Sequence, residues 1–209
     1  PLTSVFAKEL LPINGKPGIE YIIEECIEAG IEDIIFIISK KKEIIRKYFY
    51  NDKFYKSIIR KKNDKRIIKE YKKILSYKKK IKFVYQNKPL GTGDAVFKSK
   101  NFIKNKYFLM LLPDDLIVKK NCSKDMIKVH NKYKGSVMAS MKVKKNNVNR
   151  WGICSIKKKF DNNNFVISDV VEKPDTNGAP SNNAIVGRYI LSKDIFKYLK
   201  NQKKGKGGE

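Results

Sequence analysis

Several short stretches of this chain bring together side chains suited to phosphate and to hydroxyl groups. Glu172 and Lys173 stand side by side ahead of Pro174, and a turn-rich loop then leads into the apolar run Ala184–Leu191. A carboxylate accepts hydrogen bonds from hydroxyls, while an ammonium brings three donors and a positive charge to a phosphate. A surface ion pair is the plainer alternative for the same two residues. Asp114 and Asp115 follow Pro113 and the apolar run Phe108–Leu112. The C-terminal end of a strand is where open α/β sheets bind ligands, and a carboxylate there can hold Mg2+, which takes one or two carboxylates together with phosphate oxygens. Capping of a turn after Pro113 explains the aspartates equally well from the local sequence. In Gln86 and the loop Pro89–Gly93, an amide with both donor and acceptor precedes glycines that allow close backbone approach, although a tight strand-to-helix turn also needs glycine. Lys8, ahead of a proline-containing turn, has an ammonium that could neutralise phosphate charge.

The elements that must carry these residues are legible as alternating patterns. Apolar runs at 33–38, 81–85, 106–112 and 136–143 read as strands, and amphipathic stretches at 17–29, 41–49 and 65–77 read as helices between the earlier ones. This alternation predicts an α/β fold. In the first helix Pro17 suits the opening turn, Ile19, Ile22, Ile23 and Ile27 share a face, and Gly30 can stop it. Its acidic far side is expected to face water. From about Trp151 the segments shorten to 152–156, 165–171, 184–191 and a helix at 194–199. The lysine-dense stretch Lys40–Lys80 keeps helical periodicity through Ile44, Ile45, Tyr48 and Phe49, then Ile67, Ile68, Tyr71 and Ile74, so it reads as solvated helices before it reads as a nucleic-acid arm. His130, the single histidine, sits among lysines in a helical stretch and is expected at the surface.

At 209 residues with 41% apolar side chains, the chain is long enough to bury about 70% of its unfolded surface in one domain. No apolar run approaches the ~20 residues that span a bilayer. Cys26, Cys122 and Cys154 are too few and too widely spaced for a disulfide framework or a zinc site. A cytoplasmic location is the expectation, with no membrane partner. The net charge of +26, from 47 basic and 21 acidic residues, points by itself to a polyanion. Against that, Lys, Ile, Asn, Phe and Tyr, all encoded by AT-rich codons, are abundant throughout, and the lysines accompany no base-reading motif. Compositional drift is preferred, and no specific nucleic-acid partner is expected.

Four blocks, AKELLPINGKPGIEYIIEECIEAGI, QNKPLGTGDAV, LLPDD and VEKPDTNGAPSNNAIVGRYIL, together resemble the bacterial UTP–glucose-1-phosphate uridylyltransferases in order and in rough spacing. The resemblance implies a Rossmann-like mixed, mainly parallel sheet flanked by helices. It implies one nucleotidyltransferase domain over 1–209, with about 1–120 forming the nucleotide-binding half and about 121–209 the sugar-phosphate half. The substrates would be UTP and glucose 1-phosphate, the cofactor Mg2+ and the products UDP-glucose and pyrophosphate. A sister enzyme using another base or sugar, or an inactive polyanion-binding relative, are the alternatives, and self-assembly into a homo-oligomer is left open. Such transfer joins two anionic groups, so cations, N–H donors and a metal matter before any nucleophilic side chain.

Residue by residue, the resemblance makes Asp114 the metal-binding aspartate and Lys8 a catalytic cation. Gln86 and Gly91 become pyrimidine contacts, while Gly152, Glu172, Lys173 and Gly187 become contacts to the sugar phosphate. Asn182, Ala184 and Arg188 add to the last block. Ala7, Ser4 and Asp94 depart from the proline, lysine and histidine expected at those points, and Asp94 is read as a cap of the following helix. Pro1, Leu2 and Thr3 resemble residues just downstream of the family's first strand and G-x-G-T-R phosphate loop, and GKGGE at 205–209 resembles the opening of a later helix. The resemblance therefore implies a chain truncated at both ends, whose 209 residues by themselves are expected to bind UTP weakly.

Overall fold

A computed structural model describes residues 6–200. The expectations for Pro1 to Thr3, for Ser4 and for 205–209 fall outside the described residues. The chain divides into two compact units, one of residues up to Phe108 together with the stretch from Lys193, the other Leu109–Ser192.

In the first unit a 3-10 turn at Lys8–Leu10 precedes a two-stranded hairpin, β1 (Pro12–Ile13) and β2 (Lys16–Pro17). Asn14 and Gly15 turn it with φ of 50° and 76°. Asn-Gly suits that turn because both central residues must take positive φ. Helix α1 (Gly18–Glu28) follows with Pro17 at its N-cap, and Gly30, at φ 83°, ends it. Strands β3 (Ile34–Ile38) and β4 (Ile81–Tyr85) pair in parallel from Ile34 opposite Ile81 to Ile38 opposite Tyr85. A parallel pair needs a crossover, supplied by α2 (Glu43–Tyr50), α3 (Asp52–Lys62) and α4 (Lys65–Lys78). Helix α3 has no buried residue and was not legible in the lysine-rich pattern, yet Asn51 caps it and Tyr55 stacks on Tyr71 at 5.2 Å. Helix α5 (Gly91–Lys98) follows β4, and α7 (Ile195–Leu199) packs Phe196 near Phe97.

The far side of α1 does not face water. Glu20 and Glu25 are buried, and cations and phenols from the lysine-rich helices cover the acids. Tyr48 donates to Glu20, Lys73 bridges Glu20 and Glu24 at 2.7 and 2.8 Å, and Tyr77 donates to Glu24 at 2.9 Å. Burial opposes the charge on Lys73, but its bonds to Glu20 and Glu24 outweigh that and raise its pKa. Burial likewise works to raise Glu24, and hydrogen bonds from Lys16, Lys73 and Tyr77 reverse it, leaving the carboxyl below its ordinary value. Helical periodicity marks which residues share a face but is silent on whether an acidic face meets solvent or a basic helix.

In the second unit β5 (Tyr107–Leu111), whose first residues belong to the other unit, is followed by α6 (Cys122–Tyr133), β6 (Val137–Lys142), β7 (Gly152–Lys159), β8 (Phe165–Glu172) and β9 (Asn183–Ser192). The sheet order is β5-β9-β7-β8, with β6 also on β9. The mixed α/β class holds, and among the described residues antiparallel pairings stand beside the parallel β3–β4 pair. The β6–β9, β7–β8 and β7–β9 pairings are antiparallel. For β7 and β8 the reason is connection length, since a short turn at 160–164 joins them and leaves no room for a crossover. Val148, Ile153 and Ala184 are fully buried here, packed by Trp151 and Val143. His130 is half-buried near the end of α6, its Nδ1 2.6 Å from the Gly135 carbonyl oxygen.

Candidate active site

Each unit brings part of the expected residue set together. In the first, the Gln86 N–H donates to the Ile38 carbonyl at 2.9 Å, extending the β3–β4 ladder by one residue and fixing the Gln86 backbone at the strand end. The chain then turns through Pro89 and Leu90, and Gly91, at φ 85°, opens α5. A side chain at that φ would be strained, so the glycine has a conformational reason as well as a functional reading. Gln86 Nε2 donates to the Gly91 carbonyl at 3.1 Å and to Asp94 Oδ2 at 2.9 Å. Asp94 is thus not the helix cap. It lies within the first turn of α5, the cap position is Leu90, and its carboxylate is turned back onto Gln86. Lys8 is exposed at the head of its 3-10 turn.

The second unit builds a tighter cluster at the end of β5. Pro113 and Asp114 form a turn, with the Asp115 N–H pointing back at the Leu112 carbonyl. Pro suits the second position of such a turn because its φ is preset. Two β9 residues hold the turn. The Leu112 N–H donates to the Gly187 carbonyl at 2.8 Å, and the Gly187 N–H donates to Asp115 Oδ2 at 2.7 Å. Arg188, fully buried, donates from Nη1 to the carbonyls of Leu112 and Gly187 at 3.1 and 2.9 Å, and from Nη2 to that of Asp115 at 2.7 Å. A buried guanidinium is tolerated only when its donors find partners, and these carbonyls supply three of them. Asp115 therefore works inward, on Gly187, while Asp114 is exposed at the tip.

Gly152 and Glu172 face each other across β7 and β8. A Cβ on Gly152 would approach Ile185 Cδ1 to 2.8 Å and Glu172 Oε2 to 3.1 Å. Lys173 takes φ 45°, an uncommon value for a residue with a side chain, and its N–H donates to the Trp151 carbonyl at 3.0 Å. The side chains of Glu172 and Lys173 are 69% and 64% exposed and lie 3.5 Å apart. At that exposure their mutual attraction is worth ~1 kcal/mol or less, so stability does not explain a strained backbone at Lys173. Such strain tends to collect where a ligand is held. Tyr189, two residues from Gly187 and so on the same side of β9, has its phenol pushed up by burial and then by the Asp115 and Glu172 carboxylates, which keeps it a protonated donor.

Asp115, Arg188 as an anchor of the turn, and Tyr189 are additions to the expected set. A lone arginine inside the apolar run AIVGRYIL was the available signal for Arg188, because a charge within a buried strand must find partners. The donor set suits Mg2+. Asp114 offers one exposed carboxylate, and Mg2+ needs only one or two of these from a protein beside phosphate oxygens; no group of three or more His, Cys, Asp or Glu suited to a metal occurs among the described residues.

A parallel βαβ-like unit and, in the other unit, a carboxylate at a strand end are each features that nucleotide-binding α/β proteins use. The nucleotidyl transferase family profile matches residues 1–209, and the chain belongs to that family. It is 38% identical over its whole length to UTP–glucose-1-phosphate uridylyltransferase 2 of Staphylococcus saprophyticus, covering 72% of that protein. It is 35% identical to the uridylyltransferase of Bacillus subtilis strain 168, covering all of this chain and 71% of the relative. Among solved structures, a UDP-glucose pyrophosphorylase in complex with UDP-glucose matches with a TM-score of 0.81 at 32% identity, over 100% of this chain and 76% of that one. A UTP-bound enzyme from Acinetobacter baumannii matches with a TM-score of 0.88 at 29% identity, over 98% and 73%.

Proposed function

We propose that this protein transfers the uridylyl group of UTP to glucose 1-phosphate. A phosphate oxygen of the sugar phosphate attacks the α-phosphorus, the bond to the outer two phosphates breaks, and UDP-glucose and pyrophosphate leave. The observation that carries this reading is the 38% identity, across the whole of this chain, to a protein of that name. In this reading 1–209 is one nucleotidyltransferase domain, the first 120 residues or so serving the nucleotide and the remainder the sugar phosphate.

The residues divide the work by chemistry. Asp114 would hold Mg2+, whose charge on the phosphate oxygens offsets the negative charge that gathers as two anions meet. Lys8 adds a cation at the phosphates. Gln86 and Gly91 meet the base. Glu172 accepts from sugar hydroxyls, Lys173 reaches the sugar's phosphate, and Gly152 lies beside the hexose, while Gly187, whose N–H and carbonyl are taken by Asp115, Leu112 and Arg188, serves the site by seating β9 against the turn that carries Asp114. The buried Arg188 and the Asp115 carboxylate orient the turn that carries Asp114. No helix of the described residues is long and apolar enough to cross a membrane, in keeping with a cytoplasmic enzyme.

Asp114→Ala tests the central assignment. Pyrophosphate release should fall by more than about 100-fold, the scale of losing a positioned charge in the transition state, with an unchanged circular dichroism spectrum. A folded variant that turns over like the parent protein would remove Asp114 from the mechanism.

A further inference from the structure

The turn from β4 into α5 determines which edge of the Gln86 side chain is offered to a ligand. Its Nε2 lies 3.1 Å from the Gly91 carbonyl oxygen and 2.9 Å from Asp94 Oδ2. Both partners are acceptors. An amide turned over by 180° would point its oxygen at a carbonyl and at a carboxylate together, so the nitrogen must face them. Each of the two amide protons then has a partner inside the protein, and the amide oxygen is the group left for a ligand. Asp94 is held in its turn. Its side chain is 14% exposed, and its other oxygen lies 3.6 Å from Lys98 Nζ, one helical turn on.

We infer that Asp94 is a positioning residue that sets base specificity: by accepting one amide proton of Gln86, it makes Gln86 Oε1 an obligatory acceptor toward the bound base. The inference rests on the reading above that Gln86 meets the base. Uracil offers an N–H at N3 and satisfies that acceptor. Cytosine offers a bare ring nitrogen there, and two acceptors face each other without a proton. A site built to hydrogen-bond one partner rejects an analogue that leaves its polar group unpaired far more strongly than a shape difference would. Without the carboxylate, only the Gly91 carbonyl would oppose rotation of the amide, and the side chain could offer either edge. An asparagine at 94 would go further, since its own amide can donate to Gln86 Oε1 or accept from Nε2, making both orientations available.

Calorimetric titration with UTP and with CTP, each with Mg2+, on the wild-type protein, Asp94→Asn and Gln86→Ala tests this. The wild-type protein should prefer UTP. Asp94→Asn should lower the ratio of the two affinities by about tenfold or more, the scale of one charge-assisted hydrogen bond, mainly through tighter CTP binding and with an unchanged thermal midpoint. Gln86→Ala should lose the preference by weakening UTP. If Asp94→Asn leaves the ratio unchanged, or weakens both nucleotides in parallel, while Gln86→Ala still loses the preference, the inference fails and the base-contact reading survives. If Gln86→Ala binds UTP as the wild type does, or the wild type shows no preference, Gln86 does not meet the base and both fall.

Discussion

Replacing Gly187 with alanine would put a Cβ 2.5 Å from Leu112 Cβ, 2.8 Å from Asp115 Oδ2 and 3.0 Å from Leu112 Cγ. The nearest of these atoms is bonded directly to the backbone and cannot swing away. To open a 2.5 Å approach to an ordinary contact of 3.4 Å, the Leu112 side of the turn must retreat by about 0.9 Å. That movement strains two bonds, the Gly187 N–H to Asp115 and the Leu112 N–H to Gly187. Overpacking on this scale costs about 1–3 kcal/mol, which for a chain of this size lowers the thermal midpoint by roughly 5 °C at the middle of the range. The same retreat carries Asp114, and a misplacement near 1 Å costs about 100-fold in rate. Gly187→Ala should therefore fold with a reduced midpoint and lose about two orders of magnitude in kcat. Gly152→Ala is the milder comparison, because its closest contacts are all side-chain atoms, Ile185 Cδ1 at 2.8 Å and Glu172 Oε2 and Ile185 Cγ1 at 3.1 Å, which can turn aside without moving the backbone. Its midpoint should move by ~1 °C or less. Pyrophosphate release and differential scanning fluorimetry on both variants decide the matter. A Gly187→Ala protein with wild-type midpoint and kcat, or a Gly152→Ala protein less stable than it, would refute the argument from the turn.

Glu172→Ala should raise the KM for glucose 1-phosphate by about tenfold, the worth of one hydrogen bond to a charged group, and leave that for UTP nearly unchanged; equal losses for both substrates would show the sugar assignment to be wrong. Lys73→Met should lower stability at neutral pH by ~1–2 kcal/mol, because it strips a partner from the buried Glu20, while the 39% exposure of Lys73 screens part of its charge. The pH dependence carries the sign. The raised pKa of Lys73 stabilises the fold fully below the unfolded value near 10.4 and is lost as pH rises through the folded one. The depressed Glu24 contributes above about pH 4.5 and is lost as pH falls through its folded value. Denaturant midpoints across this range should show the variant's deficit shrinking at both extremes, and a constant deficit would contradict it.

Legibility of the fold followed from how local each determinant is. β3, β4, β5 and β6 were readable because strand interiors favour short apolar runs, and IIFII and YFLML are such runs while IKFVY and VMASMK are interrupted only by Lys82, Ser140 and Lys142. Helix α1 was readable from its isoleucine spacing and its Pro17 and Gly30 ends. Helix α3 was passed over although Phe54, Tyr55, Ile58 and Ile59 stand at helical spacing; none of its residues is buried, and its short stripe merges with the solvated lysine run around it. The antiparallel pairing was hidden for a different reason: strand direction depends on which strands meet across the sheet, and β9 meets β5, β6 and β7 from a distance in sequence that no local pattern records.

The candidate site divides in the same way. Glu172, Lys173 and Asp114 were visible as residue types with obvious chemistry beside a turn. Gln86 and Gly91 were visible as a pair, but not the bond between them, nor the return of Asp94 onto the same amide. The inward roles of Asp115 and Arg188 depend on Gly187 lying against Leu112, a contact between residues 75 positions apart that has no trace in either segment alone. The charge shows the same limit of composition. A total of +26 suggests an external polyanion, yet Lys16, Lys42 and Lys73 are paired with Glu24, Glu9 and Glu20 around α1. Part of the basic content thus answers acids within the protein. A net count adds every lysine with equal weight, whereas the structure gives some of them a partner from a segment that charge patterning never set beside them.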